Sequence, residues 1–171
     1  EAEILYTWNV LPEPEQAPNL KWVQFNSAGV DTFLDHPLLQ KEGVIATSMS
    51  GVITGQMAEY VLMAMLAFGQ KLPKLNQSKA AHQWPPEKKK WEGLMPTELR
   101  HSTVGILGYG SIGRQVARLL QLFGATVLAA KKDVMHPEDK GYIMEGMGDP
   151  HGDFFDRLYP IEALHSLLEE C

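Results

Sequence analysis

The chain has 171 residues, 44% of them apolar and 21% charged, and a formal net charge of −6. This composition predicts a folded globular protein of one large or two small domains and excludes a disordered or fibrous chain. The acidic charge argues against a nucleic-acid partner, and no apolar run approaches the roughly 20 residues of a membrane span, so we expect neither partner.

The first fifty residues alternate strand and helix patterns. The β-rich runs EILYTW and LKWVQFNSAG are separated by a proline-rich turn, and VIATS follows as a third, shorter run. The segment DTFLDHPLLQKEG predicts a helix that starts at Asp31 or Thr32 and stops at a glycine. Strands that alternate with helices indicate a parallel sheet, so this region is interpreted as part of a small α/β unit.

A long helix is predicted from Thr54. One of its faces carries Met57, Val61, Met65 and Phe68. Other apolar residues surround that face, so we expect a helix that is buried on nearly all sides. Pro73 should kink or end it. Residues 83–100 mix prolines, tryptophans and lysines, and are interpreted as an extended connector whose tryptophans pack against the helix or a second subunit.

A strand, a helix and a second strand are predicted between residues 101 and 132. Val104–Leu107 is apolar, the helix begins at about Ser111, and Gly124 closes it. Residues 133–156 are rich in Gly, Asp and Pro without a period, which indicates an irregular excursion. The runs RLYP and IEALHSLLEE then predict a short strand and a helix.

The pattern Gly-x-Gly-x-x-Gly lies between the first of these strands and its helix. Gly108 permits a tight turn, Gly110 lets the backbone approach a pyrophosphate, and Gly113 lets helix and strand pack closely. The unpaired amides at the helix start favour phosphate. A glycine-rich turn without a ligand is the alternative. The predicted cofactor-binding residues of this turn are Gly108, Tyr109, Gly110, Ser111, Ile112 and Gly113.

Two lysines, Lys131 and Lys132, occupy the end of the second strand. Sites selective for NAD place an acidic residue there, which accepts hydrogen bonds from the adenosine ribose. Because lysines attract a 2′-phosphate, we predict an NAD(P) site with NADP(H) favoured over NAD(H). In the alternative, both lysines are solvated and Asp133 takes the place of the acid.

The ordered set of these motifs resembles the D-isomer-specific 2-hydroxyacid dehydrogenase family. The resemblance extends from LKWVQFNSAGVD through GVITGQMAEYV and TVGILGYGSIGRQVARLLQLFGATVLAAKK to IEALHSLLEEC. It implies an α/β fold in two parts. Residues 1–54 would form a partial parallel-sheet substrate domain. Residues 55–171 would form the interdomain helix, the connector and the N-terminal half of a doubly wound Rossmann dinucleotide-binding domain.

The resemblance also implies a substrate loop at NSAGVD, where backbone amides around Ser27, Ala28 and Gly29 grip the carboxylate of a 2-keto or 2-hydroxy acid. From the residues alone, a strand-ending turn with Gly29 at positive φ is the alternative. Met57 lies where the family often has a threonine near the nicotinamide, so it is a further candidate cofactor contact, or else it fills the helix core.

The family's catalytic arginine, acidic residue and histidine correspond to positions beyond Cys171, so no catalytic residue is assigned in this chain. The six histidines, His36, His82, His101, His136, His151 and His165, are expected at the surface. The sheet order 3-2-1-4-5-6 would leave strand 1 with an unpaired edge. We therefore expect a fragment that is inactive by itself.

The parent protein is expected to transfer a hydride between NAD(P)(H) and a small D-2-hydroxy acid or 2-keto acid. A formate or phosphite dehydrogenase on the same scaffold is one alternative, and a dinucleotide-responsive binding protein without turnover is another. Asp149, His151 and Asp153 have no defined metal-ligand spacing, so no metal is predicted. Cys171 is the single cysteine, which fits a cytoplasmic protein, and a homodimer is expected.

Overall fold

A computed structural model describes residues 2–84, 86 and 93–171 of the chain. The chain divides into two compact units, Glu1–Ile53 and Thr54–Cys171, and each is described by itself. The part of the predicted connector at residue 85 and residues 87–92, with Trp91, lies outside the described residues.

The first unit is a three-stranded parallel sheet in the order β1-β2-β3. Its strands are β1 (Ile4–Thr7), β2 (Trp22–Phe25) and β3 (Ile45–Thr47). Val23 and Phe25 of β2 are buried with Leu20 and Leu38, while the alternate residue Trp22 lies on the other, exposed face. The three predicted strands and their parallel pairing are therefore confirmed.

The predicted helix between β2 and β3 is shorter than expected. A single 3-10 turn, Asp31–Phe33, is followed by the four-residue helix α1 (Pro37–Gln40). Pro37 lacks a backbone N–H and so begins a new helix rather than continuing the turn. Nδ1 of His36 accepts a hydrogen bond of 3.2 Å from the amide of Leu38 and caps that helix.

The second unit is built on a parallel sheet in the order β4-β5-β6. Its strands are β4 (Thr103–Leu107), β5 (Thr126–Lys131) and β6 (Arg157–Pro160). Among the described residues β4 pairs only with β5, so it is an edge strand, as the predicted order 3-2-1 requires. The order, with a helix after β4, is one half of a doubly wound sheet.

The helices that follow these strands agree with the sequence prediction. After β4 comes α4 (Ser111–Phe123), which Gly124 ends with a left-handed φ of 73°. Its apolar side packs on β5 through Val116, Ala117 and Leu120. After β6, a 3-10 turn (Ile161–Ala163) leads into α5 (Leu164–Glu169). Between β5 and β6, residues 132–156 contain neither helix nor strand, which confirms the predicted irregular excursion.

The long helical region is split in two. Helix α2 (Thr54–Gly69) ends before Pro73, which lies in the first turn of α3 (Leu72–Ala80). The prediction that the first helix is buried nearly all round is wrong, because its buried residues are Thr54, Ala58 and Leu62 alone and Phe68 is 70% exposed. Residues spaced by four form one stripe, and this stripe faces α4. No helix in the described parts of the chain is long and apolar enough to cross a membrane.

Candidate functional site

The turn between β4 and α4 has the geometry that its three glycines predict. Gly108 has a φ of +98°, which side-chain-bearing residues rarely adopt. A Cβ on Gly113 would collide with the carbonyl oxygen of Gly108 and lie 3.0 Å from Cγ2 of Ile106, so only glycine lets helix and strand approach this closely. A Cβ on Gly110 would meet no atom within 4 Å, which leaves open space beside the backbone at this point.

The start of α4 presents backbone donors to that open space. The first bond of the helix runs from the amide of Arg114 to the carbonyl of Gly110 at 2.9 Å, so the amides of Ser111, Ile112 and Gly113 have no acceptor within the helix. Gly110 is the N-cap and brings no side chain to satisfy them. A helix of 13 residues also carries partial positive charge at this end. These features fit the diphosphate of a dinucleotide.

Two other amides of the motif are already used. Those of Gly108 and Tyr109 both donate to the carbonyl of Ala130, at 3.0 and 3.2 Å, and so join the turn to the end of β5. The Tyr109 side chain is only 2% exposed and packs edge-on against Phe155. Of this turn's predicted residues, Ser111, Ile112 and Gly113 therefore provide the donors, Gly110 provides the space, and Tyr109 belongs to the core.

Met57, the remaining predicted cofactor residue of this unit's helices, lies in the first turn of α2. Its side chain is 37% exposed, next to the buried Ala58. Met57 is therefore not a core residue of this unit, and the alternative that it fills the helix core does not hold. Its exposure leaves the side chain available to a ligand.

The predicted lysines lie at the carboxyl end of β5, the edge of a parallel sheet where ligands bind. Lys131 is the last residue of β5, and its ammonium donates a hydrogen bond of 2.5 Å to the carbonyl of His136. Lys132 follows and is exposed. Asp133, the alternative acid, accepts from the amide of Met135 at 3.0 Å and lies 2.8 Å from Nδ1 of His136. The hydrogen bond from His136 lowers the pKa of Asp133 below its usual value.

A buried polar network joins the excursion to the motif helix. Asp149 is fully buried and accepts a hydrogen bond of 2.5 Å from the Tyr109 hydroxyl. It also accepts from the amides of Gly152, Asp153 and Phe154, at 2.9, 2.7 and 3.1 Å. Burial by itself would raise the pKa of Asp149, but these hydrogen bonds outweigh it and the pKa is lowered. The carboxylate thus holds residues 152–154 of the loop through their backbone amides. No group of metal-ligating residues is found in the described ranges.

Arg114 is the second member of this network and is 1% exposed. Its guanidinium donates to the carbonyl of Asp149 at 2.6 Å and to the carbonyl of Pro137. Sequence reasoning missed Arg114, and it considered Asp149 only as a metal ligand and not as a buried hydrogen-bond acceptor. The one local signal is that Arg114 directly follows the last glycine of the motif on the apolar side of α4, where a charged residue needs a partner.

In the first unit, the predicted substrate loop follows β2. Oγ of Ser27 donates a hydrogen bond of 3.0 Å to the carbonyl of Gly29, and the carbonyl of Ser27 accepts from the amide of Met49 at 2.9 Å. Ala28 and Gly29 are exposed, and their amides donate to no other described backbone group. Gly29 does not have positive φ, so the alternative is wrong on that point, while a strand-ending turn without a ligand stays open. The loop thus presents small residues and accessible amides, as an anion site requires.

All six histidines are in the described ranges. Among described residues one of them, His136, contacts a carboxylate, that of Asp133, and both side chains are more than half exposed. His36 is used as a helix cap, and His82 and His101 have positive φ in turns. None of these histidines belongs to the turn between β4 and α4.

A parallel sheet in this order, with a glycine turn and open amides at the first helix, defines a dinucleotide-binding unit of the Rossmann type. The model of the D-isomer specific 2-hydroxyacid dehydrogenase NAD binding domain matches residues 62–147. These residues run from α2 through β4, α4 and β5 into the excursion. The chain belongs to the D-isomer specific 2-hydroxyacid dehydrogenase family.

Individual relatives agree with this assignment. The chain is 32% identical to glyoxylate reductase of Thermofilum pendens over 116 residues, which is 67% of this chain and 33% of that protein. It is also 32% identical to D-3-phosphoglycerate dehydrogenase of Archaeoglobus fulgidus over 115 residues, 67% of this chain and 21% of that protein. The chain thus matches a third or less of the length of these curated relatives.

Solved structures share the fold. A D-isomer specific 2-hydroxyacid dehydrogenase family protein of Aeromonas salmonicida matches with a TM-score of 0.70 and 26% identity, over 100% of this chain and 48% of that chain. The NADPH-dependent glyoxylate/hydroxypyruvate reductase of Sinorhizobium meliloti, solved in complex with NADP and sulfate, matches in fold with a TM-score of 0.68 and 24% identity. That match covers 98% of this chain and 46% of the other.

Proposed function

We propose that this chain binds NADP(H) and forms part of an oxidoreductase that interconverts a small 2-keto acid and its D-2-hydroxy acid. The observation that carries the proposal is the start of α4, where Ser111, Ile112 and Gly113 leave their amides without helical acceptors beside the open space at Gly110. Membership of the family supports the reaction class. When bound, the cofactor supplies the hydride donor or acceptor at the nicotinamide C4.

The preference for NADP(H) over NAD(H) rests on Lys131 and Lys132 at the end of β5. Their ammonium groups attract the phosphate that distinguishes the two cofactors, and a hydrogen bond to a charged group contributes about 1.5–3 kcal/mol. This corresponds to about ten- to hundredfold in affinity. The S. meliloti reductase, a relative in fold, is described as NADPH-dependent.

The substrate part of the proposal concerns the first unit. Residues 1–54 act as a partial substrate domain in which the amides of Ala28 and Gly29 hold the substrate carboxylate, with Ser27 fixing the loop. Residues 55–171 act as the interdomain helix, connector and cofactor domain, with Met57 near the nicotinamide. Small side chains leave the backbone amides accessible to a small carboxylate, and glyoxylate reductases are among the relatives.

These 171 residues bind the cofactor without turning substrate over. Among described residues the one histidine paired with a carboxylate, His136, lies in the excursion after β5, at the adenosine end of the proposed site. A general acid must reach the substrate carbonyl at the opposite, nicotinamide end. The proposal also includes a cytoplasmic location and a homodimeric state. The single cysteine of the chain supports the cytoplasmic location.

Calorimetric titration with NADPH and with NADH tests the proposal. We expect NADPH to bind about ten- to hundredfold more tightly, and Lys132→Ala to reduce that difference while leaving NADH binding unchanged. Tighter binding of NADH would overturn the preference, and no binding of either would overturn the cofactor assignment. Turnover of the intact natural protein with glyoxylate, hydroxypyruvate, formate and phosphite then separates a 2-hydroxyacid dehydrogenase from the two alternatives.

A further inference from the structure

The carboxyl end of β5 opens into a pocket of about 440 Å³ formed by the first part of the excursion. The charged and polar groups of its lining are Lys131, Asp133, His136, Glu138, Asp139 and Lys140. Three of these groups are carboxylates and two are lysines, so the lining by itself is not a favourable site for an additional phosphate. The charges that compensate these carboxylates decide whether the pocket accepts an anion.

Each carboxylate of the pocket has a cationic or titratable partner. Asp133 lies 2.8 Å from Nδ1 of His136, and Glu138 lies 3.9 Å from the ammonium of Lys140. Asp139 lies 3.5 Å from Nε of Arg114, which comes from α4 and is not itself part of the lining. This separation is an ion-pair distance, longer than a good hydrogen bond.

Lys131 differs from these pairs. Its ammonium donates to the carbonyl of His136, a neutral acceptor, so its positive charge is not cancelled by that contact. With Arg114 in place, two lysines and one arginine balance the three carboxylates. Without Arg114 the same pocket would carry a net negative charge, and Asp139 would compete with an incoming phosphate for Lys131.

Arg114 also fixes the position of the pocket lining around residues 136–139. The guanidinium donates to the carbonyls of Pro137 and Asp149 and lies 4.7 Å from the centre of the Tyr109 ring. Pro137 is adjacent to His136, whose carbonyl holds Lys131. A planar guanidinium can serve several acceptors at once, which an ammonium or an amide cannot do in the same geometry.

From this geometry we propose that Arg114 is a positioning residue for cofactor selectivity. It neutralises Asp139 and fixes the segment from Pro137 to Asp139, so that Lys131 can meet the 2′-phosphate of NADP(H). The inference rests on the proposed function, since it concerns the adenosine end of the same cofactor site. NADH has no phosphate at this position, so its affinity should be insensitive to the change.

The test compares, by calorimetry, the Kd values of NADPH and NADH for the wild-type protein and three variants. Arg114→Gln should weaken NADPH at least about fivefold and NADH less than about twofold. The double variant Arg114→Gln/Asp139→Asn should recover part of the lost NADPH affinity, because it removes the unpaired carboxylate. Arg118→Gln is the matched control: Arg118 holds the same loop at the carbonyl of Gly148, 3.3 Å away, without contacting the pocket lining, so the NADPH/NADH ratio should not change.

A purely structural role for Arg114 would weaken both cofactors equally and would not be rescued by Asp139→Asn, and this result would overturn the inference. If Arg114→Gln does not fold, Asp139→Asn alone must tighten NADPH about two- to threefold without affecting NADH, and an unchanged affinity would be the contrary result. A wild-type protein that prefers NADPH together with an unchanged ratio in Arg114→Gln would defeat this inference alone. A wild-type protein that binds neither cofactor would defeat the proposed function and this inference with it.

Discussion

The Tyr109 hydroxyl donates a hydrogen bond of 2.5 Å to Oδ2 of Asp149, a residue 40 positions further along the chain. This bond connects the glycine motif directly to the excursion between β5 and β6. The pKa of Tyr109 is raised above its ordinary value, mainly by burial and secondly by the hydrogen bond to Asp149. The hydroxyl therefore stays protonated and remains a donor. The excursion is therefore anchored to the turn between β4 and α4 although it has no regular secondary structure.

Asp149→Asn should lower the free energy of unfolding at neutral pH by about 1–3 kcal/mol, since an amide cannot replace a carboxylate that serves a hydroxyl and three backbone amides. Urea unfolding at pH 7 measures this loss. The exposed neighbour Asp153 is the control, because Asp153→Asn should change the free energy of unfolding by less than about 0.5 kcal/mol. Equal effects of the two substitutions would contradict the role given to Asp149.

The same carboxylate predicts a pH dependence of stability. The pKa of Asp149 is lower in the folded protein than its ordinary value of 3.8, so its ionised form stabilises the fold above about pH 4 and that contribution is lost as pH falls through the folded pKa. Between pH 4 and pH 2, the wild-type protein should therefore lose more stability than Asp149→Asn. Parallel acid curves for the two proteins would be the contrary result.

Tyr109→Phe removes only the hydroxyl and leaves the ring packed against Phe155. Asp149 keeps its three backbone donors, so we expect a loss of about 1.5–3 kcal/mol in the free energy of unfolding from the missing charge-assisted bond. Because the side chain is buried, the Kd of NADPH should be unchanged under conditions where the variant is fully folded. Calorimetry measures this Kd. A large loss of affinity in a folded variant would instead mean that the hydroxyl contacts the cofactor.

Gly110→Ala and Gly113→Ala form a matched pair within the motif. A Cβ at residue 110 meets open space, so the free energy of unfolding should change by less than about 1 kcal/mol while the methyl group blocks the diphosphate. A Cβ at residue 113 collides with the backbone of Gly108, so this substitution should destabilise the unit by about 1–3 kcal/mol. Thermal unfolding and calorimetry on both variants check this, and NADPH binding that survives Gly110→Ala would be inconsistent with the site.

Much of the second unit follows from local sequence. The period of α4, its glycine stop and the glycine motif are short-range patterns, and the structure has them at the predicted residues. The first unit's strands follow from β-rich runs in the same way. Pro37 is also a local signal, but the pattern predicts one helix where the structure has a 3-10 turn followed by α1, because Pro37 starts a new helix.

Other features depend on residues far apart in sequence. The burial of Asp149 beside Tyr109 and Arg114 has no periodic signature, because the excursion that carries it has no period. The exposure of Phe68 on an apolar helix likewise depends on which stripe faces α4, and here the stripe with the small residue Ala58 does so. The apolar pattern therefore predicted the helix correctly, and the extent of its burial incorrectly.

An amide-resolved NMR titration with NADPH tests the binding of a diphosphate at the start of α4 most directly. The amides of Ser111, Ile112 and Gly113 should shift strongly and saturate with the calorimetric Kd, because they become hydrogen-bond donors to the diphosphate. The amide of Gly124, which donates to Gln121 at the other end of the same helix, should move little. NADPH that binds without shifting the three amides, or that does not bind, would contradict the central claim.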